Sequence, residues 1–201
     1  MFYLCSIGSN IDPHTHLSVA LGELDACVGP LQLSSVIRTK PVAMDSCHDF
    51  LNCLLILESS LDPASLKQIF VALEIAHGRD RRDPLCKVRD RPLDIDILAT
   101  TPDADFSSTP VDAYLIELLA ELFGYGEVHD PKVALRVQPA PRVGCTRTAQ
   151  RVGLWPVLLD TRDPLGTGAT LDRHGGQSES GQPATTIDLD AGPRHVTVPH
   201  Q

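Results

Sequence analysis

No apolar run in this chain approaches the length of about eighteen residues that a membrane-spanning helix needs, and no two of its six cysteines stand in a C-x-x-C pair. The first absence argues against a membrane partner. The second argues against a zinc knuckle, so Cys5, Cys27, Cys47, Cys53, Cys86 and Cys145 read as small buried hydrophobes in a reducing compartment rather than as metal ligands or a disulfide frame. A basic surplus is also lacking: the formal net charge is −9, which argues against a general nucleic-acid surface. Internal repeats are absent, and Met1 leads straight into a β-prone segment without a leader pattern, so a soluble, cytoplasmic protein is expected. His14, His16 and His48 read as surface or turn residues.

What is present concentrates in Arg91–Leu98, R-P-L-D-I-D-I-L. On a strand, residues two apart share a face, so Asp94 and Asp96 point one way while Leu93, Ile95 and Ile97 point the other. Two neighbouring carboxylates on a half-buried strand repel each other and resist desolvation unless a cation lies between them. Hard oxygen donors suit Mg²⁺, and such a pair is what ions bridging substrate phosphates require. The preceding loop supplies the opposite charge with Arg79, Arg81, Arg82, Lys87, Arg89 and Arg91, a local clamp for polyphosphate. Because Asp80, Asp83 and Asp90 are interleaved with these cations, the charge run alone also fits a wet loop of surface ion pairs.

Together with G-S-N at Gly8–Asn10, a turn at Thr39, F-L-N at Phe50–Asn52 and E-x-x-x-G-R at Glu74–Arg79, this strand resembles the 6-hydroxymethyl-7,8-dihydropterin pyrophosphokinase family over about residues 2–98. The resemblance implies transfer of pyrophosphate from ATP to the hydroxymethyl group of a reduced pterin in folate biosynthesis, with release of AMP. Two Mg²⁺ ions would sit on Asp94 and Asp96, and ATP would be the co-substrate. It implies phosphate-binding roles for Arg79, Arg81 and Arg91, and nucleotide-side positions for Glu74, His77 and Ile97; Lys87 and Arg89, in the longer loop beyond the matched arginines, are expected to fold over the nucleotide from the other direction. On the pterin side it implies Gly8, Thr39, Pro41, Val42, Phe50 and Asn52, with Phe50 in place of the family's stacking tyrosine, a change that keeps the ring surface. A monomer acting on ATP and pterin alone is expected. The other functions weighed are a weakly active or inactive paralogue that senses ATP or pterin, and a ferredoxin-like interaction module whose Asp and Arg merely pair with one another.

The departures from the family are specific. The loop before the aspartates lacks the family's tryptophan and is longer by about two residues. After them, Asp112 or Ala113 stands where a histidine belongs, and no Lys or Arg occurs between Arg91 and Lys132. The second aromatic of the pterin site is missing unless Tyr114 or Phe123 supplies it.

With 42 % hydrophobic residues in 201, one core is affordable. Periodicity places a strand at Phe2–Ile7 and a helix on Leu17, Leu21, Leu24 and Val28. Strands near Leu31–Thr39 and Phe50–Leu57 follow, then a helix capped by Asp62 and carrying Leu66, Ile69, Phe70 and Leu73. The aspartate strand comes next, and a last helix opens at Thr109–Pro110 with Leu115, Leu118, Leu119 and Leu122. This order is α+β, a ferredoxin-like βαββαβ sandwich with helices on one face of an antiparallel sheet. Residues 1–135 form the pyrophosphokinase-like domain. Residues 136–201, rich in Pro and Gly, are expected to be a disordered or loosely docked low-complexity tail in which only Leu154–Leu159 is apolar enough to dock.

Overall fold

The computed structural model describes residues 1–42, 44, 46–86, 88–140 and 149–161. Apolar strands that feed a core on each face form an antiparallel sheet of β1 (Phe2–Ser9), β2 (Leu31–Leu33), β3 (Ile37–Thr39), β4 (Phe50–Glu58), β5 (Asp94–Thr101) and β8 (Val157–Leu159), in the order β5-β1-β4-β2-β8 with β3 also on β4. A second ribbon pairs β6 (Leu135–Val137) with β7 (Gln150–Val152). The stretch expected as one strand over Leu31–Thr39 is two, because Ser34 and Ser35 turn out of the ladder. The Leu54 N–H donates to Ser34 Oγ at 2.9 Å, and Ser35 donates from N and Oγ to Glu121 at 3.2 and 3.0 Å.

Helices α1 (Pro13–Val28) and α2 (Pro63–Ala76) both start with Pro at the first position, where a missing N–H does no harm. Asp62 caps α2 by accepting from the N–H groups of Ala64 and Ser65 at 3.0 and 3.1 Å. These helices bury Leu17, Leu21, Leu24, Leu66 and Phe70 against Tyr3, Cys5, Ile7, Leu51, Cys53, Leu55 and Ile95, one face of the sheet. The last helix begins later than Thr109, as a 3₁₀ turn (Ala113–Leu115) running into α3 (Ile116–Leu122). It corrects the expectation that all helices share one face. Leu115, Leu118, Leu119 and Leu122 pack on Leu4, Ile37, Leu54 and Ile56, the alternate residues that point to the opposite side. α3 covers only part of that face and leaves the rest, over the start of β5, open. Among the described residues no helix is long and apolar enough to cross a membrane.

The expected boundary at 135 falls inside the architecture. β6 packs on α1, β8 extends the main sheet by pairing with β2, and Val137, Val152, Val157 and Leu159 are all buried. The Thr161 hydroxyl and N–H both donate to the buried Asp25 of α1. For residues 136–140 and 149–161 the tail reading is therefore corrected: three short strands with one or two buried apolar residues each suffice because an existing sheet edge and helix flank offer them partners. Residues 141–148 and 162–201 lie outside the described residues.

Cys5 and Cys53 are buried as expected, and burial pushes the Cys53 thiol up to about 12. Cys27 and Cys47 are exposed, a correction, since they sit at a helix end and in a loop. Cys145 lies outside the described residues.

Candidate active site

The register of three strands builds the site. Asp94 lies opposite Gly8, which lies opposite Asn52, and Asp96 lies opposite Ser6. Cross-strand partners share a face, so this row points away from α1 and α2, towards the part of the sheet that α3 leaves bare. There a cavity of about 240 Å³ opens, lined on the sheet by Ser6, Gly8, Thr39, Phe50, Asn52, Asp94 and Asp96. Its walls are Lys40, Val42, Met44, Arg91 and Tyr114. Polar and aromatic groups converge here as in a small-molecule site.

The two carboxylates are not left to repel each other. Asp94 accepts from Arg79 and, at 2.6 Å, from Arg91. Burial, the largest single influence, pushes its carboxyl up, yet the hydrogen bonds and charges of Arg79 and Arg91 together outweigh it and hold it below the usual value. Arg79 responds in kind: burial works to lower it, but Asp94, Glu74 and Asp96 raise it. Asp96, more exposed, is held by Lys67 of α2 at 2.7 Å.

Glu74 organises this network from behind. Fully buried, it accepts from Arg81 Nε at 2.8 Å, lies 3.2 Å from Arg79, and accepts from the Ile95 N–H at 3.0 Å. Lys67 donates to the Ile95 carbonyl as well. β5 is an edge strand, and α2 thus satisfies the outward backbone groups that no further strand takes up. Glu74→Ala should strand the Arg81 guanidinium and the Ile95 amide and leave Arg79 with Asp94 alone, a loss of about 3–5 kcal/mol by analogy with broken buried ion pairs. Urea unfolding at pH 7 checks it, and a loss under about 1 kcal/mol would show that Arg79 and Arg81 find other acceptors.

Three residues expected on the nucleotide side are not among the cavity-lining residues. Glu74 is the buried organiser just described. His77 caps α2 and is buried against α1, its Nδ1 2.8 Å from His16 and its Nε2 3.0 Å from Glu23. Ile97 points into the helix-side core, as the alternation of β5 requires. Arg89 pairs with Asp83 at 2.8 Å on the surface, Arg82 lies 3.6 Å from Asp80, and Pro41 is not among the cavity-lining residues. Arg82 and Arg89 thus sit in surface ion pairs. Lys87 lies outside the described residues.

Tyr114, one of the two candidates for the second aromatic, enters the site, and so do Lys67 and Asn10. Tyr114 lines the cavity and Phe123 packs under α3, so the second aromatic is Tyr114. Its hydroxyl is pushed up by burial and by the nearby Asp112, Asp94 and Asp96. Lys67 stands two turns before Glu74 on the same stripe of α2, a spacing that could have found it. Asn10 of G-S-N is the hinge of the loops: its Oδ1 accepts from the Arg91 N–H at 2.7 Å and its Nδ2 donates to Asp90 at 2.6 Å, while Asp90 also meets His48.

Among the described residues no group of three or more His, Cys, Asp or Glu forms a metal cage. Two cavity-lining carboxylates leave most coordination positions to phosphate oxygens and water, the donor pattern of a phosphate-bridging Mg²⁺, so the residues fit that ion.

The family model for 7,8-dihydro-6-hydroxymethylpterin-pyrophosphokinase matches residues 4–123, which include every cavity-lining side chain named above. Proteins from two strains of Porphyromonas gingivalis, each named 2-amino-4-hydroxy-6-hydroxymethyldihydropteridine pyrophosphokinase, are 42 % identical over 95 residues, 46 % of this chain. The chain spans 65 % of the length of those relatives. With the matched region holding β1 to α3, the aspartate pair and the aromatic-walled cavity, the chain belongs to the 7,8-dihydro-6-hydroxymethylpterin-pyrophosphokinase family.

Proposed function

We propose that this protein transfers pyrophosphate from ATP to the hydroxymethyl group of 6-hydroxymethyl-7,8-dihydropterin, with release of AMP. The observation that carries the reading is one cavity holding an amide, two aromatic rings and an aspartate pair on a single sheet face. The flat heterocycle fits between Phe50 and Tyr114, with Asn52 reading its polar edge. Asn52 is fixed for that task, because its Nδ2 donates to Thr39 Oγ1 at 2.8 Å. Asp94 and Asp96 would hold two Mg²⁺ ions, which when bound supply neutralisation of the phosphates and acidify the substrate hydroxyl.

The chain's own groups do the rest. Arg79 and Arg91 keep Asp94 ionised and fixed. Arg91 and Lys40 bring positive charge to the cavity wall, where a triphosphate in line with the hydroxyl would lie. Arg81, bound to Glu74, braces the arrangement rather than the ligand. Incubating the protein with Mg-ATP and 6-hydroxymethyl-7,8-dihydropterin should yield AMP and the pyrophosphorylated pterin in equal amounts. AMP formation that does not depend on pterin, or none at all, would overturn the reading.

Gly8 offers a sharper check of the pterin floor. A Cβ there would lie 2.3 Å from Asn52 Oδ1, so Gly8→Ala must push the carboxamide aside. An overpacking cost of about 1–3 kcal/mol at this point translates into a rise of roughly tenfold or more in the KM for pterin. Fluorescence titration with Mg-ATP should change little, and equal losses for both ligands would place Asn52 outside the pterin site.

A further inference from the structure

We infer that Lys67 is a built-in counter-ion that keeps the aspartate pair from loading divalent cations before nucleotide arrives. The inference rests on the metal assignment of Asp94 and Asp96 made above, and deepens it. The Lys67 ammonium is held by two acceptors, Asp96 Oδ1 at 2.7 Å and the Ile95 carbonyl, and lies 3.9 Å from Glu74 Oε1. It is two-thirds buried, whereas Asp96 is more than half exposed.

The charge balance around the pair explains why this matters. Asp94, Asp96 and Glu74 face Lys67, Arg79, Arg81 and Arg91, three carboxylates against four cations. A free dication approaching this cluster meets no net negative charge, and at Asp96 it meets an ammonium already seated. A dication carried by a triphosphate arrives as an anionic complex, which the same cluster attracts. Lys67 is therefore a positioning residue. It holds the Asp96 carboxylate in place in the free protein, and it makes metal entry conditional on nucleotide.

The test is a calorimetric titration of the full-length, nucleotide-free protein with MgCl₂ or MnCl₂ alone. Compared are the parent, Lys67→Met, Lys67→Gln and Lys67→Met with Asp96→Asn. Met keeps the stem and a good helix former, while Gln keeps a donor for the Ile95 carbonyl but no charge. Both single variants should bind the dication at least about tenfold more tightly than the parent, and the double variant should lose that gain. Equal or weaker binding in both single variants overturns the inference, as does a gain that survives Asp96→Asn. No pterin or ATP enters the titration. A protein that makes no AMP yet shows the tenfold gain would refute the proposed reaction and leave Lys67's role standing; the reverse pattern would do the opposite.

Discussion

A chain ended after Leu135 should show no cooperative unfolding transition. The deleted part carries Val137, Val152, Val157 and Leu159, all buried in the main core. At roughly 1.5–3 kcal/mol for each such side chain, their loss is on the order of 6–12 kcal/mol, comparable with the whole stability of a domain, about 5–15 kcal/mol. The damage goes beyond area. Gly22 of α1 lies so close to the following segment that a Cβ would sit 2.0 Å from the Gln138 carbonyl oxygen. A helix that has given up a side chain to admit a backbone is left with a slot when that backbone is removed. Leu31–Leu33 would also lose its ladder partner β8. Circular dichroism against temperature decides the matter: a sigmoidal melt within a few degrees of the parent's would show that the first 135 residues fold alone.

Asp94→Ala and Asp96→Ala should each reduce AMP formation on the order of a thousandfold or more, since each removes a proposed metal ligand. Their stabilities should part company. Asp94→Ala leaves Arg79 and Arg91, whose side chains are only 8 % and 12 % exposed, without their carboxylate. Arg79 retains Glu74, so the loss should be about 2–3 kcal/mol. Asp96→Ala breaks a pair that water already screens and should change stability by less than about 1 kcal/mol. The pH dependence follows from the same contacts. The Asp94 carboxyl titrates below its ordinary 3.8, so its contribution is complete above that pH and is lost as the pH falls through the lower, folded value. Urea titrations at pH 7 and pH 3 should therefore show parent and Asp94→Ala converging in acid. Equal stability of the two at pH 7 would remove Asp94 from the arginine network.

Most of the candidate site was legible because strand alternation is a strong rule. Asp94, Asp96, Asn52 and Gly8 fall on one side of the sheet by counting in twos, and α1 and α2 by counting in threes and fours. The same rule sends Ile97 to the other side, where it is, although the resemblance implies a nucleotide-side position for it. Less legible were contacts set by tertiary packing. Glu74 and His77 carry polar side chains that suggest ligand contact, but burial turns them inward to satisfy arginines and a second helix. Lys67 gave a local signal only in retrospect, and Tyr114 depended on where an unusual 3₁₀ turn enters the face. The segment after Leu135 misled because triplets such as Leu135–Val137 are too short to show a period, and their order comes from surfaces built by distant residues.

The capping of β5 by α2 has a consequence for handling the protein. An exposed strand edge with free N–H and C=O groups invites another chain to add itself, and natural sheets commonly blunt such edges with charge. Glu74 and Lys67 do this at Ile95, so the side chains that arrange the aspartate pair also guard against intermolecular strand addition. Variants at these two positions would be altered in colloidal behaviour as well as in chemistry, and light scattering belongs beside every assay made on them.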